Sequence, residues 1–107
     1  MKKQITRHNN TIRPLTSGNS FRGNGENTDD YQGVFINCFA DQNCSLLLEW
    51  SNDGIHYYFS TTENIIESVP FTKSFQNRGQ YFKLRVTNDS GNDMTVLSCS
   101  SYFIHDV

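Results

Sequence analysis

Alternation of apolar and polar residues runs through the chain from Tyr31 onward, and it constrains the fold more than any other feature. In the stretch 81–87, YFKLRVT, the residues Phe82, Leu84 and Val86 share one face, and those between them share the other. This period of two belongs to a strand buried on one face, whereas a helix repeats every 3.6 residues. The pattern therefore predicts strands.

Roughly six or seven short strands fit into residues 31–107. Asn, Ser and Thr are abundant and Ala is almost absent, which disfavours helices. The run around Pro70 suits an edge strand, because proline has no N–H for a neighbouring strand. We expect an all-β fold, a single small antiparallel β-sandwich of jelly-roll-like form, with Trp50 in its core beside Leu46 and Leu48.

Residues 1–30 lack this alternation. Single apolar residues stand between polar residues and glycines, and such a segment cannot bury enough area to fold alone. We expect an extended basic N-terminal arm that is ordered by a partner or by lying along the domain, and that can contribute a first strand near Ile5 or Ile12. A chain that starts near Ser20 would then keep its melting behaviour. The predicted assembly contacts of the arm are Lys2, Lys3, Ile5, Arg7, Ile12, Arg13 and Leu15.

The formal net charge of −2 at pH 7 gives the chain no overall basic field for nucleic acid, so only the arm could contact it. No apolar run approaches the roughly 18–20 residues that cross a bilayer. The basic residues at the N-terminus are not followed by the apolar segment of a secretory signal. We therefore expect neither a membrane partner nor export.

The three cysteines are Cys38, Cys44 and Cys99. They form no C-x-x-C pair and have no histidine at the spacing of a zinc site. They fall in or beside predicted strands, so buried free thiols are expected. A disulfide between Cys38 and Cys99, or between Cys38 and Cys44, is the alternative.

The sequence SNDG after Trp50 has the composition of a tight hairpin turn. Asn and Asp bond to nearby backbone in turns, and glycine supplies a positive φ. A calcium loop is excluded, because the alternating acidic ligands and the final glutamate are missing. The predicted turn residues are Ser51, Asn52, Asp53 and Gly54.

An aromatic run, His56 to Phe59, is predicted to begin the second strand of this hairpin. Alternation would put Tyr57 with Phe59 on one face and His56 with Tyr58 on the other, so at most one pair is free to meet a ligand. His56, Tyr58 and Tyr81 are the candidate contacts with a ligand or another subunit. Core packing is the alternative role of the aromatic run.

No catalytic constellation stands out in the sequence. His8, His56 and His105 have no partner at the spacing of a metal site. The glutamates show no pairing that would indicate a glycosidase. We expect that the protein is not an enzyme and uses no cofactor.

A series of motifs along residues 21–103 resembles a short β-sandwich module found in virion structural proteins of tailed phages and of large double-stranded DNA viruses. The series has a Phe-x-Gly before a Tyr-led strand, an Ala-Asp turn, a hairpin with Ser-x-Asp-Gly, and an aromatic strand that ends in Asn. Two positions depart from it: Gln80 replaces an arginine, and His56-Tyr57 replaces a tryptophan. The matching residues are Phe21, Gly23, Tyr31, Ala40, Asp41, Leu46, Ser51, Asp53, Gly54, Tyr81, Phe82, Arg85, Val86 and Asn88.

The resemblance implies a virion structural protein, and the expected free cysteines and missing export signal fit assembly in the host cytoplasm. It would be a small capsid-associated component, such as a minor capsid, penton-like or decoration protein, and the motifs carry over no catalytic residue. The expected partners are other capsid proteins and further copies of the chain in a closed homo-oligomer. The alternative function is a carbohydrate- or receptor-binding module that uses surface aromatics.

Overall fold

A computed structural model describes residues 2–105, so the first residue of the predicted arm and the last two of the predicted domain lie outside it. Over residues 2–105 the chain forms strands and no helix. The strands are β1 (Lys2–Ile5), β2 (Ser20–Arg22), β3 (Glu26–Asn27), β4 (Gly33–Ala40), β5 (Cys44–Ser51), β6 (Phe59–Ile65), β7 (Phe71–Gln76), β8 (Tyr81–Thr87) and β9 (Leu97–His105). The same residues contain no helix that could cross a membrane.

The strands form two antiparallel sheets. The first sheet has the order β1-β9-β4-β7, and the second has the order β2-β8-β5-β6. The short β3 pairs with β8 on the same edge as β2, so β2 and β3 act as two halves of one interrupted strand. Counted in this way, the chain crosses between the sheets at every connection except β5 to β6, which is jelly-roll connectivity. The predicted all-β, jelly-roll-like sandwich is confirmed.

The core lies between the two sheets. The strands β4, β5 and β8 each bury every second side chain, as the alternation predicts. Trp50 is fully buried, with its ring 5.6 Å from that of Phe82. Phe82 lies edge-on to Phe103 of the opposite sheet, 6.3 Å away. The prediction that Trp50, Leu46 and Leu48 share the core is therefore correct.

Residues 2–30 are part of the sandwich and do not form an arm beside it. β1 pairs with β9 in the first sheet, and β2 and β3 pair with β8 in the second. Thr11 adds a single bridge to Cys99. Strands of two to four residues leave no visible period in the sequence, and their partners lie far along the chain. The first strand expected near Ile5 is present as β1, and the fold has no boundary at residue 30.

The first sheet ends in two edge strands, β1 and β7. All four residues of β1 are exposed. β7 begins directly after Pro70, in agreement with the predicted edge position. Exposed edges offer backbone N–H and C=O groups for pairing with another chain.

Cys38, Cys44 and Cys99 are buried free thiols, and neither of the alternative disulfides is formed. Cys38 and Cys99 are opposite each other on β4 and β9. The neighbouring Cys38 thiol and burial hold the pKa of Cys44 well above its usual value. A protonated, buried thiol is a poor nucleophile.

We expect the three thiols to resist a thiol reagent in the native protein and to react completely after unfolding without reductant. Mass spectrometry of the labelled chain counts the modified cysteines. The same protein, unfolded with reductant and then labelled, gives the reference count. A lower count without reductant would reveal a disulfide and contradict the free thiols.

Candidate functional site

The predicted turn residues lie at the start of the loop that joins β5 to β6. The Ser51 Oγ accepts hydrogen bonds from the backbone N–H groups of Asp53, at 3.1 Å, and Gly54, at 2.8 Å. Gly54 has a φ of +78°, which glycine adopts without strain. The Asp53 Oδ1 accepts from the N–H groups of Ile55 and His56, both at 2.8 Å. Side-chain oxygens thus hold the turn.

The loop is longer than the predicted tight turn. β6 begins only at Phe59, which pairs with Trp50. In a tight hairpin, residues 55 and 56 would belong to the second strand. Here their N–H groups donate to the Asp53 carboxylate instead of to another strand. Residues 56–58 therefore belong to the loop, and the strand alternation predicted for them is wrong.

His56 and Tyr58 form a stacked pair on the surface of this loop. Their ring centroids are 5.6 Å apart, the planes differ by 11°, and Tyr58 is 78% exposed. The Asp53 Oδ2 lies 2.7 Å from the His56 Nδ1. With Asn52 and Phe59 these residues line a concavity of about 200 Å³. The loop thus presents a flat aromatic surface beside polar groups, which suits stacking against a ring of a partner molecule.

Tyr81 is placed apart from this pair. A Cβ at Gly54 would lie 3.5 Å from the Tyr81 ring, so the tyrosine packs against the turn. Tyr57 lies over β8, with the Lys83 Nζ 4.1 Å from its ring centroid. Of the three predicted contact residues, the structure brings His56 and Tyr58 together and leaves Tyr81 outside.

Hydrogen bonds lower the pKa of Asp53 well below its usual range, first from the His56 ring and then from backbone N–H groups and the Ser51 hydroxyl. A carboxyl group whose pKa is lower in the folded state stabilises the fold at pH values above its unfolded pKa of about 3.9. This stabilisation is lost as the pH falls from that value toward the folded-state pKa. We expect Asp53→Asn to flatten the fall of Tm between roughly pH 4 and pH 2. Thermal melts of the wild type and Asp53→Asn across this pH range test the prediction. Glu67→Gln, at another exposed carboxylate, is the control. Identical slopes for Asp53→Asn and wild type would contradict the prediction.

The predicted contacts in the N-terminal segment are exposed, with the exception of Leu15, which packs against the core. Ile5 is 54% and Ile12 is 80% exposed. The Lys3 Nζ lies 4.3 Å from the ring centroid of Phe35. The exposed members are Lys2, Lys3, Ile5, Arg7, Ile12 and Arg13.

Local patterns in the sequence do not reveal Asn9, a fully buried side chain that joins the N-terminal segment to the second sheet. Its Oδ1 accepts from the Leu84 N–H at 2.9 Å, in the gap between β2 and β3. Its Nδ2 donates to the Asn24 carbonyl at 2.9 Å and to the Glu26 Oε2 at 2.5 Å. A Cβ at Gly23 would lie 1.9 Å from the Asn9 Oδ1. Gly23 is the glycine of the Phe-x-Gly motif.

Some ionisable side chains elsewhere on the surface form local contacts. Glu63 pairs with Lys73 at 2.6 Å, and the His105 ring lies edge-on to Tyr31 at 4.9 Å. Within residues 2–105 no group of three or more His, Cys, Asp or Glu side chains could hold a metal ion. The distinctive features of this surface are the β1 edge, the aromatic loop and the outer faces of the sheets.

Comparison with known proteins shows a shared fold. No family model matches the sequence, and no curated protein matches it significantly. The solved structure of PBSX exported protein XepA is similar over 99% of this chain, with a TM-score of 0.82 and 15% identity. The structure of infectious bursal disease virus, Gx strain, is similar over 98% of it, with a TM-score of 0.52 and 11% identity. This chain spans 38% and 33% of the length of those chains.

Proposed function

We propose that this protein is a structural component of a virus particle. The observation that carries the proposal is the similarity of nearly the whole chain to two solved folds, one of them from a virus. The ordered motifs that resemble virion β-sandwich modules support the same assignment. Within the particle the protein acts as a minor capsid, penton-like or decoration protein that is assembled in the host cytoplasm.

The β1 edge is the assembly contact in this proposal, in place of a free arm. β1 is exposed along its length, and a strand from another chain can extend the sheet there through backbone hydrogen bonds. Ile5 supplies exposed apolar area, and Lys2 and Lys3 attract acidic groups of a partner. The partners are further copies of this chain and other capsid proteins.

We expect Ile5→Glu to reduce oligomer formation or binding to capsid proteins without lowering Tm by more than about 2 °C, because surface changes cost little stability. Ile66→Glu is the matched control, since Ile5 and Ile66 are both 54% exposed and only Ile5 lies on the β1 edge. Size-exclusion chromatography with light scattering and co-sedimentation with particles measure the effect. Equal behaviour of the two variants would contradict the edge contact.

The stacked pair of His56 and Tyr58 favours a second function, a carbohydrate- or receptor-binding module. An exposed aromatic stack beside a largely apolar concavity is a surface on which the ring of a ligand can stack. A glycan array should then show binding that Tyr58→Ala abolishes and Ile12→Ala, an exposed control elsewhere on the chain, preserves. The absence of any glycan signal would exclude a carbohydrate ligand.

A further inference from the structure

Three basic side chains meet on the outer face of the second sheet. Arg22 of β2 and Arg85 of β8 are directly opposite each other in the antiparallel register. Lys83 follows the same face of β8, and Glu49 of β5 is opposite Lys83. These four residues line a concavity of about 190 Å³ with polar walls.

The Arg22–Arg85 pair is unfavourable within the chain itself. Like charges at directly opposite positions of a sheet destabilise it. The ion pairs found across residues 2–105 involve other side chains, so neither guanidinium is neutralised there. Glu49, opposite Lys83 in the register, offsets one of the three positive charges of the concavity. Two positive charges are therefore left in the concavity.

We propose that this cluster binds a phosphate or sulfate group. Each guanidinium presents paired N–H donors that match the oxygen atoms of such an anion. An anion between Arg22 and Arg85 turns their repulsion into two attractive contacts. Gly23 lines the same concavity, so backbone next to Arg22 forms part of its wall. This site is independent of the proposed role in a virus particle.

Thermal melts in sodium phosphate and in sodium chloride, at equal ionic strength and pH 7, test the site. We expect phosphate at millimolar concentration to raise the Tm of the wild type by several degrees more than chloride does. Arg85→Gln and the more exposed Arg22→Gln should each abolish this difference. In dilute chloride both variants should melt at or above the wild-type temperature, because the repulsion is gone. Arg13→Gln, an exposed arginine that does not line this concavity, should respond to phosphate as the wild type does.

Glu49→Gln supplies the opposite test. The substitution removes the one acidic group of the concavity, so it should tighten phosphate binding several-fold. A loss of stability alone would not produce this gain. A response of Glu49→Gln equal to that of the wild type would overturn the proposed location.

Binding of a sulfated oligosaccharide, measured by calorimetry, distinguishes the source of the anion. If inorganic phosphate binds as tightly as the oligosaccharide, the site is assigned to a free ion. If the oligosaccharide binds much more tightly, the site is assigned to an anionic group carried on a sugar chain. Equal effects of phosphate and chloride on the wild type, together with equal oligosaccharide binding by wild type and Arg85→Gln, would overturn the proposal.

Discussion

Deletion of residues 1–19 is expected to unfold the protein. The deletion removes β1 from the edge of the first sheet and leaves β9 without one of its two partners. It also removes Thr6, Asn9 and Leu15, which are buried or packed against the core. The result contrasts with the behaviour of a separate arm, whose loss would leave the melting temperature nearly unchanged.

The size of the effect follows from the polar contacts between this segment and the rest of the fold. The Thr6 and Ser101 hydroxyls are 2.6 Å apart and buried, and the Ser101 Oγ also donates to the Asn9 carbonyl at 2.8 Å. The Asn10 Oδ1 accepts from the Ser101 N–H at 2.8 Å. Each buried group that loses its partner costs about 1–3 kcal/mol. A small domain has only about 5–15 kcal/mol of stability, so several such losses exceed what it can tolerate.

Circular dichroism and a thermal melt of the shortened chain measure this effect. The control is the full chain with Lys2→Gln and Arg13→Gln, which changes two exposed charges of the same segment and should melt within a few degrees of the wild type. A shortened chain that keeps its β signal and a cooperative melt near the wild-type temperature would show that residues 2–19 are dispensable for folding. That result would support the original prediction of a free arm that acts in assembly.

Asn9→Ala is expected to destabilise the protein by about 3 kcal/mol or more, because it leaves the buried Leu84 N–H unpaired and removes the bonds to Asn24 and Glu26. For a domain of this size the melting temperature should fall by about 12–20 °C. Gly23→Ala should have a comparable effect, since its Cβ would occupy the position of the Asn9 Oδ1.

A double-mutant cycle separates this contact from unrelated damage. If Gly23→Ala acts by displacing the Asn9 side chain, it should cost little in a chain that already carries Asn9→Ala. Asn24→Ala is the control, because Asn24 contributes only its backbone carbonyl to the contact and its side chain is exposed. Additive losses in the double variant would show that Gly23 and Asn9 act independently.

Because residues 2–30 belong to both sheets, the proposed assembly contact is a sheet edge and not a flexible arm. A flexible arm would gain its order from the partner and would give up conformational entropy on binding. The β1 edge is already ordered by β9, so a strand that pairs with it meets a prepared surface. Two of the four charges predicted for the arm, Lys2 and Lys3, lie on β1 and belong to this contact, whereas Arg7 and Arg13 lie outside β1.

Strands with a local alternation of apolar and polar residues could be predicted from the sequence alone. The alternation of Phe82, Leu84 and Val86, and the placement of Trp50 in the core, follow from side chains that point to opposite faces of one strand. The positive φ at Gly54 could also be predicted, because the turn composition of residues 51–54 is a local signal and a positive φ favours glycine in any fold.

Features that depend on residues distant in the chain could not be predicted, because they follow from the tertiary fold. β1 is a strand because it pairs with β9. Asn9 is buried because it fills the gap at Leu84 between the pairing of β8 with β2 and its pairing with β3. Neither four exposed residues nor one asparagine carries a local sign of such a partner. Arg22 and Arg85 likewise become neighbours only through the register of β2 on β8. A pattern in the sequence reports which face of an element is apolar, whereas the pairing of elements depends on the whole chain.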